Sequence, residues 1–223
     1  MIIAIDGPAG SGKSSVAKSV ATRLGFRYLD TGAMYRAVTY RALQTGVDPA
    51  DGGAVANVVA ESPIEFMHVE GDSFPTGVRI AGADVTAEIR TPAVDDAVSA
   101  VARLGVVREA MVAQQRVLAD GDDIVVEGRD IGTVVFPDAE LKVFLTASPE
   151  ERARRRSVQQ AESGIESDAA GVHEAIIRRD TADSTRELSP LASAVDAVLL
   201  DTTQLTFAQV VERVCEIARE RGA

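Results

Sequence analysis

The sequence is short of cysteine, histidine, asparagine and lysine, and each shortage closes off a class of chemistry. Cys215 is the one cysteine, so no internal disulfide forms, and its place in an apolar helical pattern points to a reducing compartment. His68 and His173 stand far apart with no cysteine or second histidine at ligand spacing, which leaves a His-based metal site or a local catalytic triad without support. The one asparagine, Asn57, is followed by Val58, so the Asn-Lys-x-Asp element that reads guanine in switch GTPases is missing. No apolar run approaches the ~20 residues a membrane helix needs, and Met1-Ile2-Ile3-Ala4-Ile5 reaches Asp6 too soon for a signal-peptide core. A cytoplasmic protein with no membrane partner is expected.

Positive charge is also in deficit. The 223 residues carry 34 Asp plus Glu against 23 Lys plus Arg, a formal net charge of -11. Such a field repels polyanions, so nucleic acid is not an expected partner. Only Lys13, Lys18 and Lys142 among the basic residues are lysines, and the others are arginines. Arginine is the planar, bidentate binder of phosphate and carboxylate, so its clusters bear on function. The length suits one domain with a small insertion, and 46% hydrophobic with 26% charged residues is an ordinary globular balance.

Ile2 to Ile5 reads as a buried strand, Gly7 to Gly12 as a glycine-rich turn, and Lys13 to Leu24 as a helix. Ile124 to Val126, Val143 to Leu145 and Ala197 to Leu200 read as central strands of a parallel sheet, buried on both faces. Amphipathic stretches lie at Ala33 to Leu43, Ala93 to Ala119, Pro149 to Glu162, Val172 to Thr181 and Phe207 to Arg221. The alternation predicts an α/β fold with helices on both sides of the sheet. Residues from about 62 to 92 depart from it: Ile64, Phe66, Val78 and Ile80 recur at spacing two around the turn-rich segment Gly71 to Gly77, which predicts a small antiparallel insertion. The polar run Ser163 to Asp168 reads as a mobile loop.

Gly7-Pro8-Ala9-Gly10-Ser11-Gly12-Lys13-Ser14 matches G-x-x-x-x-G-K-[ST], with a strand before it and a helix after it. In such a loop the glycines let backbone N–H groups converge on phosphates, Lys13 reaches the β and γ phosphates, and Ser14 ligates magnesium at the positive end of the helix dipole. With motor-sized length and the guanine-reading element both missing, the expectation is phosphoryl transfer to a small acceptor. A phosphate acceptor is already ionised near neutral pH and needs no general base, so positioning and charge neutralisation carry the catalysis. Arg152, Arg155 and Arg156 stand at i, i+3 and i+4 on one helix face with Arg154 beside them. Their mutual repulsion is relieved either by an anionic ligand or, on a solvated face, by Glu150 and Glu151. A second cluster joins Arg178, Arg179 and Arg186 with Asp183.

The sequence resembles bacterial cytidylate kinases in four segments that match the family's order and spacing: Ile5 to Ser14, Asp30-Thr31-Gly32-Ala33-Met34-Tyr35-Arg36, Glu127 to Pro137, and Arg179-Asp180 through Arg186. The first is common to many P-loop proteins; the second and third together are specific to this family. Thr31 and Glu127 stand where other members carry Ser and Asp. The resemblance implies a P-loop kinase spanning 1–223: a central parallel sheet flanked by helices, a small antiparallel nucleoside-monophosphate-binding insertion at 62–92, and a helical lid at about 152–186. It implies transfer of the ATP γ-phosphate to CMP or dCMP with Mg2+, by a monomer.

By the same resemblance, Gly7, Pro8, Ala9, Gly10, Ser11, Gly12, Lys13, Ser14 and Ser15 hold ATP, with Ser14 on the metal. Lys13, Arg129, Arg152 and Arg156 are catalytic. Arg36 and Arg129 hold the CMP phosphate, Ser99, Arg108 and Asp130 read cytosine, Arg179, Asp183 and Arg186 surround the pentose, and Thr31 completes the CMP site. The base-reading roles make chemical sense, because a carboxylate accepts from cytosine N4 and a guanidinium donates to N3 or O2, and uracil mismatches both. A kinase for UMP, AMP or shikimate and a nucleotide-binding regulator are the competing readings.

Overall fold

The computed structural model describes residues 1–68, 74–162 and 168–223. In chain order its elements are β1 (Ile2–Asp6), α1 (Lys13–Leu24), β2 (Arg27–Asp30), α2 (Thr31–Gln44), α3 (Gly52–Glu61), β3 (Ile64–His68), β4 (Pro75–Ile80) and β5 (Ala83–Asp84). They continue with α4 (Pro92–Val101), α5 (Gly105–Leu118), β6 (Ile124–Gly128), β7 (Leu141–Thr146), α6 (Pro149–Glu162), α7 (Ala169–Ser184), β8 (Val198–Asp201) and α8 (Phe207–Glu220). The chain divides into two compact units, one formed by Met1–Phe26 with Asp123–Ala223 and the other by Arg27–Asp122.

The first unit is built on parallel strands in the order β6-β1-β7-β8. Ile3, Ala4 and Ile5 of β1 and Val125 and Val126 of β6 are fully buried, which is why these strands read as unbroken apolar runs rather than as alternations. α1 packs on β1 and β6, and α8 packs on α1. The buried stripe of α8, Val210, Val211, Val214, Cys215, Ile217 and Ala218, has the spacing of one helical face. Thr206 starts that helix with a capping box: its hydroxyl accepts from the Gln209 N–H, and the Gln209 side chain accepts from the Thr206 N–H. α6 and α7 pack against each other through Ala153, Val172 and Ile176.

The second unit holds the antiparallel sheet β3-β4-β5, with Ile64 opposite Ile80 and Phe66 opposite Val78. The small sheet therefore falls where the spacing-two pattern places it, while the compact unit around it extends well beyond 62–92. In the same unit α2 packs on α4, and α3 on α5.

Two expectations change. The strand near Ala197 to Leu200 is not central: among the described residues β8 pairs with β7 alone, at the sheet edge, and Leu199 and Asp201 are exposed. Leu199 and Asp201 share one face of the strand, so that face is left open to water at the sheet edge, while Val198 and Leu200 on the other face are half-buried. The predicted helix from Ala93 to Ala119 is two helices, because the chain tightens through Arg103 N–H to Ala100 O and Leu104 N–H to Val101 O before Gly105 begins α5. Glycine weakens a helix joint, and α4 packs mainly on α2 whereas α5 packs mainly on α3. The polar loop, apart from Asp168, lies outside the described residues, as do Gly71, Asp72 and Ser73 of the turn. Asp168 itself caps α7 through Gly171 N–H.

Removing the capping hydroxyl of α8 with Thr206→Ala should lower stability by about 1 kcal/mol in a urea titration and leave turnover unchanged.

Candidate active site

In the first unit the phosphate loop connects the end of β1 to the start of α1. Its glycines are sterically required. A Cβ on Gly7 would come 2.1 Å from the Leu145 carbonyl oxygen, and Gly10 and Gly12 hold φ of 76° and 85°, in the left-handed region. Gly12 caps α1 without a side-chain hydrogen bond, and the first turn of that helix carries no acidic residue, so no side-chain charge there offsets the positive end of the helix dipole. Lys13 is buried, with Nζ 3.5 Å from Pro8 O. Ser14 Oγ donates to Glu127 Oε2 at 2.7 Å, from the far end of β6. Glu127 is 2% exposed, and its role beside the loop is not visible in the sequence.

The arginines at the start of α6 divide between two tasks. Arg152, 4% exposed, donates from Nε to Ala147 O and from Nη1 to Ala9 O of the phosphate loop, and Nη1 pairs with Asp180 Oδ2 at 2.6 Å. Arg155 donates from Nη1 to Ser11 O at 3.3 Å and to Thr202 Oγ1 at 2.9 Å, and from Nη2 to Thr202 O. Its Nε pairs with Glu151, which also takes Arg154. Arg154, then Arg155 against a small burial penalty, hold the Glu151 carboxyl down at about 2. Arg156 donates to Gln159 Oε1. Two guanidiniums of the run thus touch phosphate-loop carbonyls. Arg155, left out of the expected catalytic set, is one of them, and its i+3 spacing from Arg152 is the available signal.

Beyond β6, Arg129 Nε donates to Asp183 Oδ2 at 3.0 Å, and Arg186 Nη2 lies 3.6 Å from the other carboxylate oxygen. Burial alone would raise the Asp183 carboxyl, but Arg129, Arg186 and Arg179 together hold it below the ordinary carboxylate range. Asp130 is buried and stands before a π-helical turn, Ile131–Val135. Asp6, the last residue of β1, accepts the Ile131 N–H at 2.9 Å and the Gly132 N–H at 2.8 Å.

The second unit carries Thr31, Arg36, Ser99 and Arg108. Thr31 is the buried first residue of α2, and Asp30 caps that helix through Ala33 N–H. Arg36 donates to Ile89 O and pairs with Asp95 of α4. Ser99 is half-buried on α4. Arg108 is buried on α5, with its guanidinium carbon 5.6 Å from the centre of the Tyr35 ring and Nη1 donating to Ala102 O. Arg36 thus reaches from α2 to α4, and Arg108 reaches from α5 to Tyr35 of α2.

A family model for cytidylate kinase matches residues 3–220. The chain belongs to the cytidylate kinase family. It is 53% identical to a cytidylate kinase of Geobacillus kaustophilus over 98% of this chain and 96% of that one. It is 50% identical to that of Mycobacterium avium over 100% of this chain and 96% of the other. A solved structure of an uncharacterised protein from Eubacterium ventriosum shares the fold, with a TM-score of 0.55, 10% identity and 98% coverage of each chain. Membership makes the protein a kinase that phosphorylates CMP or dCMP. Among the described residues no helix is long and apolar enough to cross a membrane.

Two outcomes are expected of this kinase. Arg155→Ala should raise the KM for ATP about tenfold in steady-state assays, since it releases the Ser11 carbonyl. The depressed Asp183 carboxyl contributes stability that is present above its unfolded value and lost as pH falls through its folded one. Asp183→Asn should therefore flatten the loss of stability below about pH 4 in urea titrations across pH.

Proposed function

We propose that the phosphate loop, Gly7 to Ser15, holds ATP, and that CMP or dCMP is bound as the acceptor. The backbone N–H groups at the start of α1 and Lys13 bind the β and γ phosphates. Arg152 and Arg156 neutralise the charge that spreads over the transferring phosphoryl group. Arg36 and Arg129 hold the acceptor phosphate, whose ionised oxygen is itself the nucleophile, so no general base is required of the protein. Arg108, Ser99 and Asp130 read the base, Thr31 completes the nucleotide site, and Arg179, Asp183 and Arg186 lie around the pentose.

Magnesium fits the residues present. The Ser14 hydroxyl and the Glu127 carboxylate lie 2.7 Å apart at the start of α1, and both are hard oxygen donors. That pair would hold the ion, since Mg2+ takes oxygen donors. Bound there, the ion supplies neutralisation of phosphate charge.

The observation that carries this assignment is where Arg129 starts. It comes directly after Gly128, and Gly128 pairs in the parallel register with Asp6, the residue before the phosphate loop. An arginine for the acceptor and the loop for the donor thus leave neighbouring strands at the same, carboxyl end, where ligands of open α/β sheets bind. The segment from 152 to 186 acts as a lid that closes over the nucleotides and keeps water from the phosphoryl group. The protein works as a cytoplasmic monomer in this reading.

Steady-state rates with ATP across CMP, dCMP, UMP, AMP and shikimate test the acceptor. CMP and dCMP should far exceed the rest, and comparable turnover of UMP and CMP overturns the base-reading roles. Asp130→Ala should cost CMP-over-UMP preference more than ATP affinity. Lid closure predicts that amides of α7 gain hydrogen-exchange protection only when both nucleotides are bound.

A further inference from the structure

Asp6 has no part in the phosphoryl transfer itself, yet it is 5% exposed and closes the central strand β1. Both of its carboxylate oxygens are used, one on the Ile131 N–H and one on the Gly132 N–H. Those are the first residues of the π-helical turn that comes after Arg129 and Asp130. On the other side of the same pair, Gly128 is held by its strand pairing with Asp6. Arg129 and Asp130 are thus a two-residue span fastened at both ends by one residue, by main chain before it and by side chain after it. The next residue after Asp6 is Gly7, the first of the phosphate loop.

A plain structural cap does not need a carboxylate at this position. Burial pushes the Asp6 carboxyl up to about 6, against the N–H groups of Gly132 and Ile131, with Asp130 pushing it further and Arg129 opposing. A folded value above the unfolded one means that Asp6 favours the fold below its unfolded value, and that this contribution is lost as pH rises through about 6. At neutral pH the fold therefore bears a charged group that a neutral one of the same shape would relieve. What the charged form provides is a second acceptor, so that two adjacent peptide planes are fixed instead of one.

We propose that Asp6 is a positioning residue that sets Arg129 and Asp130 relative to the phosphate loop, so that acceptor phosphate and base are held in register with the donor. This rests on the reading in which Arg129 binds the acceptor phosphate and Asp130 reads cytosine. It assigns Asp6 no contact with either nucleotide.

Asp6→Asn is the discriminating variant, since it keeps the shape and one acceptor but turns an amide N–H toward the other backbone N–H. At pH 7.5 its melting temperature should stay close to that of the parent enzyme, since removing the buried charge offsets the lost backbone acceptor. Its kcat/KM for CMP should fall about tenfold or more, its KM for ATP should move less than about threefold, and its CMP-to-UMP preference should drop. A kcat/KM for CMP within about twofold of the parent, or equal losses for ATP and CMP together with a lowered melting temperature, overturns the proposal. Asp130→Ala run alongside separates the two ideas: if it leaves the CMP-to-UMP ratio unchanged, the base-reading assignment fails. If it changes the ratio and Asp6→Asn does not, the positioning role fails. Amide exchange in the parent enzyme needs no variant to fold. Ile131 and Gly132 should be among the slowly exchanging amides in the absence of nucleotide, and free exchange there overturns the anchor.

Discussion

A guanidinium prepared for a phosphate must be held in place before the phosphate arrives, and other guanidiniums stand close by. The protein meets that constraint with carboxylates and backbone carbonyls. Arg152 is held by Asp180 and the Ala9 carbonyl, Arg155 by Glu151 and the Ser11 carbonyl, Arg129 and Arg186 by Asp183, and Arg36 by Asp95 and the Ile89 carbonyl. Each holder occupies part of a guanidinium's donor set and leaves the planar group oriented. In the proposed reading an incoming phosphate meets guanidiniums that are already oriented, and the protein does not have to order long side chains at the moment of binding. The acidic balance of the chain and its preference for arginine over lysine have a common explanation here, because a bidentate cation needs shaped partners whereas a lysine ammonium does not.

The sheet determines where the phosphate loop and Arg129 emerge. β1 and β6 are buried on both faces and parallel, so the segments that leave their carboxyl ends emerge on the same side of the sheet. Phosphate loop and Arg129-Asp130 are the two products of that arrangement. Gly7 is pressed against the Leu145 carbonyl of β7, so the third strand limits the loop as closely as the first one launches it. Asp6 and Glu127 sit at these strand ends with their carboxylates committed to backbone N–H groups and to Ser14. Both are acids in an interior that penalises charge, and both act on groups adjacent to the phosphate chemistry.

Much of the fold can be read along the chain because its signals are local. The apolar run of β1, the glycines after it and the helix beginning at Lys13 lie within one short stretch, and the spacing-two pattern around Val78 marks the antiparallel sheet. The pattern misplaces β8 because an apolar run does not say whether a strand has one neighbour or two. It misses the break between α4 and α5 because amphipathic period continues across Gly105 while the packing partner changes. β2 and α3 give no clear signal: one is four residues long, and the other begins with two glycines after a capping aspartate.

The sequence by itself determined the phosphate loop, the family and the identities of the arginines, because motif spacing along a strand, turn and helix is a short-range property. Which carboxylate holds which arginine was left to the tertiary structure. Ser14 meets Glu127 across 113 positions, and Asp6 reaches Gly132 across 126. Such pairings depend on strand order and register, which no local pattern encodes. The same holds for burial: Asp6 reads as an ordinary acid in the sequence, and only the packing around the end of β1 makes its charge costly and its two acceptors directional.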